Sequence, residues 1–243
     1  MAPDTDPTPA PDDRIPDEQT RRAALRAGIA LYTAGEYHAA HDPWEGVWLE
    51  LRAAIDEAAC GAPDAATSPD GTLVRDEALF HALIQFTAAQ HHARERNWSG
   101  ATGLTESARE YLAGLPNDYR GVDVARVRTA LSRLAADPER VERGPAPPLA
   151  HEGERVAPTS LSLDAASLAA EALAEEYGLD ESVVADAGRY AREEETVGRS
   201  RFAALLFDLL RVDTPQERRL VYDRLSGLVD QERRKEEDVE GLF

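Results

Sequence analysis

The chain has 243 residues, enough for one large domain or two modest ones, and its 46 acidic residues against 27 basic ones give a formal net charge of -19. Only Lys235 is a lysine. Such an acidic, nearly lysine-free composition is typical of halophilic proteins, because dense carboxylates stay hydrated in concentrated salt. The charge and the lack of a basic patch exclude generic nucleic-acid binding, and no apolar run approaches the roughly 18 residues of a membrane span.

The N-terminal segment predicts a solvated tail. Residues 1–17 carry five prolines and five aspartates among few apolar residues, which is typical of disorder. This segment has neither the positive start nor the apolar run of a signal peptide, so we expect a cytoplasmic protein. The single Cys60 excludes an internal disulfide and a multi-cysteine metal site.

Residues 18–136 show helical periodicity throughout. Apolar positions recur every three or four residues, and the predicted helices are 18–34, 36–59, 76–96, 100–115 and 124–134, with a loop at 61–72. No segment alternates with period two over a useful length, so strands are not expected. The predicted fold class is all-α, a bundle of about five helices plus a second, smaller helical module.

The second module is separated from the first by a proline-rich stretch. Residues 137–160 hold five prolines and no helical pattern, and we interpret them as an extended linker that wraps over a surface. Residues 161–243 then form an accessory helical domain, with helices predicted at 163–177, 181–195, 199–211 and 215–234. The last helix has an explicit start, because Thr214, Pro215 and Glu217 make a capping box with proline at the first position.

The residues that could carry chemistry are concentrated in the first module. Five of the six histidines lie between residues 38 and 92. His41 and Glu45 are four residues apart, so on one helix they share a face, and imidazole and carboxylate at that spacing form half of a metal site. His38 stands one turn before His41.

A structural alternative exists for the same residues. Asp42 followed by Pro43 resembles a helix start, with Asp42 as the cap and Glu45 closing a capping box. The segment would then be two helices, or one kinked at Pro43, and Glu45 would have a structural role. Trp44 and Trp48 fit either as core anchors or as residues that stack on a ligand.

The third predicted helix supplies the counterpart of this site. His81 and Gln85 lie along one row beside the apolar stripe, and His91 lies on the stripe itself. An amide near a core must find hydrogen-bond partners. Gln85 therefore either contacts a ligand or ties helices together through His41, Glu45 or a backbone carbonyl.

These motifs resemble one known family. The segment Ala40-His41-Asp42-x-Trp44-Glu45-x-x-Trp48, followed by Leu83-Ile84-Gln85 and by Asn97-x-x-Gly100-Ala101, is similar to the domain of unknown function 309 family, whose signature reads Ala-His-Glu-x-Trp-Glu-x-x-Trp. The match covers about residues 27–104. It implies a small all-helical domain, and the family's label implies a metal-dependent hydrolase. Asp42 stands where the family has Glu, and Pro43 interrupts the helix there.

Two hypotheses for the function follow. In the first, His41 and Glu45, with His81 or His38, hold a divalent metal such as zinc, Glu45 and His41 serve catalysis on a small molecule, and Trp44, Trp48, Gln85 and His91 form the pocket. In the second, the chain is a non-catalytic binding or assembly module in which the same residues form a structural hydrogen-bond network. A small-molecule substrate, a protein partner and a homo-oligomer are all left open by the sequence.

Overall fold

The computed structural model describes residues 15–61, 71–195 and 199–240. Within these ranges the chain forms helices α1 (Glu18–Ala34), α2 (Asp42–Gly61), α3 (Thr72–Arg94), α4 (Trp98–Leu112), α5 (Val124–Ala136), α6 (Leu163–Glu176), α7 (Glu181–Glu195), α8 (Arg201–Arg211) and α9 (Pro215–Glu240). The all-α prediction is confirmed. Most of the predicted tail, residues 1–14, and of the predicted loop, residues 62–70, lies outside the described residues.

Side-chain caps explain where several helices begin and end. The carboxylate of Asp17 accepts a hydrogen bond from the backbone N–H of Thr20 and so starts α1, and the chain leaves α1 through Gly35 with φ 92°. Ser162 caps α6 in the same way as Asp17 caps α1. At α9, the Thr214 hydroxyl accepts from the backbone N–H of Glu217, as the capping-box pattern predicts.

One short hairpin interrupts the helices. Strands β1 (Asp118–Tyr119) and β2 (Val122–Asp123) pair in antiparallel register through a two-residue turn. Arg120 and Gly121 both have positive φ, 52° and 74°, which is the turn that matches strand twist in tight hairpins. Strands of two residues are too short to show alternation, so the hairpin carries no period-two signal in the sequence.

The proline-rich segment 137–160 is packed on the first half of the chain. His151 bridges to Val122 of the hairpin, and Leu149, His151 and Val156 are buried. Short 3-10 turns at Pro138–Glu142 and Pro158–Ser160 bracket it. The segment is therefore attached to the fold at Leu149, His151 and Val156, while residues 142–145 and 152–155 are exposed.

The hydrophobic core runs through both halves of the chain. Helix α1 packs against α2 on one side and α6 on another, while α3 packs between α2 and α4. Most of the buried apolar residues of both halves belong to one contiguous cluster, and Ala89, Ala93, Ala101 and Leu134 form a second, smaller one. The boundary between modules predicted at residues 137–160 is therefore not a break in the core.

A close contact between α1 and α2 fixes the start of α2. Trp44 is fully buried, and its indole lies against the backbone of α1 at Gly28. A Cβ at residue 28 would stand 2.3 Å from Cε2 of Trp44, so only glycine admits this approach.

In the part of the chain that the structure describes, none of the helices has the length and hydrophobicity needed to cross a bilayer.

Candidate metal centre

The segment before α2 is a turn, not a helix. Helix α2 begins at Asp42, so the prediction of one continuous helix from Glu36 is wrong, and of the alternative the helix start itself is confirmed. The carbonyl of His41 accepts the first two helical bonds, from Trp44 N at 2.9 Å and from Glu45 N at 2.8 Å. His41 thus occupies the capping position, one residue earlier than predicted for Asp42. Pro43 has no N–H and cannot continue a helix from residue 39.

Three potential metal ligands converge at this helix start. One ligand atom each from His41, Asp42 and Glu45 lies within 4.8 Å of the other two, and we call these three residues the metal cluster. Nε2 of His41 stands 3.0 Å from Oδ1 of Asp42, and their side chains are 20% and 23% exposed. The hydrogen bond to Asp42 is the main cause of a raised pKa at His41. One imidazole and two carboxylates form a donor set that suits zinc and other divalent transition metals.

Further imidazoles lie next to the metal cluster. The ring of His38 contacts that of His41 edge-on at 4.8 Å between centroids, and His91 follows at 5.4 Å from His38. Nδ1 of His38 lies 2.6 Å from Oε2 of Glu176, at the end of α6. Burial, followed by the charge of His38, lowers the pKa of His91. Among the ring contacts of the described residues, the predicted pocket residue His91 therefore reaches the metal cluster through His38.

The second half of the chain holds the turn that precedes the metal cluster. Glu36 accepts hydrogen bonds from the Tyr177 hydroxyl at 3.0 and 3.2 Å and from Nη1 of Arg218 at 3.3 Å. Tyr177 directly follows Glu176, the partner of His38. Two consecutive residues at the end of α6 and one in α9 thus fix residues 35–41, which we call the site turn.

A different group surrounds His81. The imidazole of His81 lies between the ring of Trp48, at 4.6 Å, and the ring of Tyr111, at 4.1 Å. Its Nδ1 is 3.7 Å from Oε1 of Glu77, and the same oxygen accepts the indole N–H of Trp48 at 2.8 Å. Burial is the main cause of a lowered pKa at His81. We call Trp48, Glu77, His81, Gln85 and Tyr111 the stacked cluster.

The structure does not bring all the predicted ligands together. Among the described residues, His81 is not part of the group whose ligand atoms converge with those of His41 and Glu45. The reason is the stacking of its ring on α3 between aromatic side chains, with Glu77 one turn away. Asp42, adjacent to His41, is the third member of the converging group.

Gln85 also differs from its predicted role. Its amide nitrogen lies 3.0 Å from Nε2 of His81 on the same helix, so the hydrogen bond joins one turn of α3 and not two helices. Oε1 of Gln85 has no hydrogen-bond partner within the described ranges. The partner of Gln85 is therefore His81 on its own helix, in place of the expected bond to His41, Glu45 or a backbone carbonyl.

The two tryptophans of the motif have separate roles. Trp44 is fully buried in the core, which confirms its interpretation as a core anchor. Trp48 is half-buried and stacks on His81, so it belongs to the stacked cluster and not to the surroundings of His41.

Sequence reasoning missed three acidic residues around these clusters. Glu77 precedes His81 by four residues, the same spacing that identified His41 and Glu45, and that signal was available. Asp42 was interpreted only as a cap. Glu176 is 138 residues from His38 along the chain, and no local pattern connects the two.

Comparison with known proteins adds no family. No protein-family model matches the chain, and no curated protein matches it. The resemblance to the domain of unknown function 309 family therefore stays a prediction that depends on the motif residues alone.

Proposed function

We propose that the chain is a metal-dependent hydrolase that binds a divalent ion, zinc in the first instance, through His41, Asp42 and Glu45. The observation that supports this proposal is the convergence of one nitrogen and two oxygen ligands within 4.8 Å at the start of α2. Three protein ligands are the usual number at catalytic zinc sites, where the fourth position stays open for water or substrate.

The residues around the metal cluster would divide the work of such a site. A bound ion supplies Lewis acidity and an activated water for hydrolysis. Glu176, which is outside the metal cluster, orients His38 through the 2.6 Å contact of its Oε2 with Nδ1 of His38. Outer carboxylates of this kind fix the ring position and the tautomer of a histidine. His38, held beside His41, is the group placed to accept or return a proton.

The charge around the site indicates the class of substrate. Asp42 and Glu45 belong to the metal cluster, Glu176 contacts His38, and Glu175 acts on His41 through its charge. These carboxylates exceed the charge of one divalent ion, and they repel an anion such as a phosphate ester. An uncharged amide or ester suits the site better.

A non-catalytic role is the second candidate, and one observation favours it. The site turn is tied to the second half by His38–Glu176 and by the contacts of Glu36 with Tyr177 and Arg218. In this alternative the metal cluster and its neighbours form a hydrogen-bond network that fixes the packing of the two halves.

Metal analysis separates the two candidates. The full chain is purified in molar potassium chloride without chelator, and its metal content is compared with that of His41→Ala, Glu45→Ala and Glu50→Ala. Glu50 is an exposed acidic residue of the same helix and serves as the control. We expect stoichiometric metal in the wild type and in Glu50→Ala, and a loss of zinc affinity of about 100-fold or more in the two cluster variants.

The opposite result supports the network. No metal in the wild type, even after dialysis against zinc, together with a large drop in Tm for His41→Ala, would remove the hydrolase proposal. Circular dichroism of each variant shows whether lost metal reflects a lost ligand or a lost fold.

A further inference from the structure

An open groove lies on the surface beside α5. Its volume is about 850 Å³, which is within the usual range of small-molecule sites. One wall is a face of α5, and the others are the turn Pro138–Glu142 and residues 143–148. No residue of the metal cluster lines the groove. It is therefore a feature that the proposed hydrolase does not use.

Four arginines line this groove, although the chain as a whole has a net charge of -19. They are Arg126, Arg133, Arg140 and Arg143, and we call them the arginine groove together with the two lining carboxylates, Asp123 and Asp137. Acidic residues stand between several of these arginines along the chain. The sequence therefore shows no basic patch, whereas the fold places the four arginines around one opening.

The two aspartates compensate only two of the arginines. Nε of Arg126 lies 3.5 Å from Oδ2 of Asp123, and Arg143 is paired with Asp137. Glu139, which does not line the groove, also lies 3.8 Å from Arg143.

Arg133 and Arg140 are the uncompensated charges of the arginine groove. Neither side chain forms an ion pair or a hydrogen bond with any residue that the structure describes. Arg133 is exposed and Arg140 is half-buried. Glu142, the acidic residue next to them in sequence, is instead bound to Arg96 at 2.8 Å. Two guanidinium groups are thus available to a ligand that enters from solvent.

Guanidinium groups in this state select an anion with oxygen ligands. Their planar N–H fork donates two parallel hydrogen bonds to a phosphate or a carboxylate, and chloride cannot accept such a pair. In molar salt the Debye length is about 3 Å, so the distant carboxylates that make the chain acidic do not repel an anion here. The groups that line the groove decide which ligand binds.

The spacing of the arginines favours an extended anion over a single phosphate. Arg126 and Arg133 are seven residues apart on one face of α5, or about 10 Å along the helix axis. Arg140 follows beyond the end of α5, in the turn Pro138–Glu142. One phosphate group fits one or two of these positions, whereas a chain of phosphates carries several charges and can contact the arginines in succession.

The proline-rich wall is held in place without a ligand. The hydroxyl of Tyr32 donates to the carbonyl of Pro147 at 2.8 Å, and Ala146 packs against the core. Prolines have a fixed φ and no backbone N–H, so this wall is stiff and leaves the arginines as the charged donors. A wall that is already ordered reduces the entropy lost on binding.

We propose that the arginine groove binds a linear chain of three or more phosphates, which accepts hydrogen bonds from Arg133 and Arg140. Inorganic tripolyphosphate is the probe, and orthophosphate is the matched anion with a single phosphate. ATP carries the same chain on a nucleoside and is the second probe. Tighter binding of ATP than of tripolyphosphate would assign the chain to a nucleotide, and the reverse order would assign it to an inorganic polyphosphate.

The variants test the two uncompensated arginines directly. Arg133→Gln and Arg140→Gln each remove one charge from the groove. Arg224→Gln, at an exposed position of α9, removes the same charge elsewhere and is the control. Tripolyphosphate also binds divalent ions, so His41→Ala shows whether the probe is bound through an ion at the metal cluster.

The experiment is an NMR titration of the full chain in molar potassium chloride, with circular dichroism of each variant to check its fold. We expect saturable tripolyphosphate binding, and orthophosphate binding at least about tenfold weaker. Arg133→Gln and Arg140→Gln should each weaken tripolyphosphate binding about tenfold, because each removes charge-assisted hydrogen bonds. Arg224→Gln and His41→Ala should leave it unchanged, whatever the outcome of the metal analysis.

Three results would overturn the proposal. Orthophosphate binding as tight as tripolyphosphate binding would show that the groove does not select a phosphate chain. Tripolyphosphate binding that does not saturate, or that survives both arginine substitutions, would place the probe elsewhere. Binding that is lost in a folded His41→Ala would assign the probe to the metal cluster. The comparison of the two anions on the wild type decides the matter even where a variant fails to fold.

Discussion

The metal cluster and the stacked cluster contain the same kinds of residue at the same spacing and differ in nearly every physical property. His41 and Glu45 are four residues apart, as are Glu77 and His81. The ligand atoms of the first pair converge with Asp42 in a half-buried position at a helix start. His81 of the second pair lies in the middle of α3, and its ring is covered by Trp48 and Tyr111.

The comparison shows that the residues packed around an acid–histidine pair decide its structural role, and that the spacing of the two residues along the helix does not. The hydrogen bond that His41 donates to the Asp42 carboxylate raises the pKa of His41, whereas burial lowers the pKa of His81. Oε1 of Glu77 accepts the indole N–H of Trp48, and Nη1 of Arg52 lies 3.9 Å from the same oxygen. The stacked cluster therefore joins α2, α3 and α4, whereas the three residues of the metal cluster all lie at the start of α2.

Substitution of the two tryptophans should give the largest effect on stability and so tests this comparison first. Trp44→Ala should lower the free energy of unfolding by about 3–5 kcal/mol, because it removes a fully buried side chain from the contact with α1. Trp48→Ala should cost less, since the ring is only half-buried. Urea unfolding in molar potassium chloride measures both, with the 53% exposed Leu49 changed to Ala as a control expected within about 0.5 kcal/mol. Equal costs for the two tryptophans would contradict the distinction.

The two glutamates give the next largest effect. Glu77→Ala leaves the half-buried indole N–H of Trp48 without its acceptor and should cost about 1–3 kcal/mol in the metal-free protein. Glu45→Ala should change the metal-free stability by less than about 0.5 kcal/mol. The same unfolding assay compares them. A larger loss for Glu45→Ala than for Glu77→Ala would show that the metal cluster has the structural role.

The smallest effect is a dependence on pH that comes from His81. Because burial holds its folded pKa below the unfolded value of 6.5, the unfolded chain takes up a proton first as the pH falls. The wild type should therefore lose stability as the pH drops from 6.5 toward the lower folded value, and this contribution should vanish in His81→Gln. Glu77 opposes the shift and Arg52 supports it. A Tm difference between the two proteins that is constant from about pH 8 to 5 would refute the assignment.

Much of the fold could be predicted because helix signals are local. The predicted starts of α6, α7 and α9 agree with the structure, and Ser162 and Thr214 act at two of them as caps. Periodicity and capping are properties of neighbouring residues, so one sequence is enough to detect them. At α2 the sequence left two alternatives open, because the apolar stripe favours one continuous helix from Glu36 and Pro43 favours a helix start.

The candidate site was predictable only in part, because its supporting contacts are tertiary. The pair of His41 and Glu45 follows from spacing on one element. The contact of Glu36 with Arg218 joins residues 182 positions apart, and nothing near either residue indicates the other. The orientation of His81 depends on Tyr111 from α4, and the sequence could not predict this contact either.

The packing of α1 against α6 has a consequence during synthesis. Helix α1 ends at Ala34 and α6 begins at Leu163, so the partner emerges from the ribosome roughly 6 to 26 s later at usual translation rates. Until then the side of α1 that will meet α6 is exposed to solvent, and α1 is rich in alanine, with Ala23, Ala24, Ala27, Ala30 and Ala34. Short side chains present little apolar area to other nascent chains, so α1 has a low tendency to aggregate before α6 is synthesised.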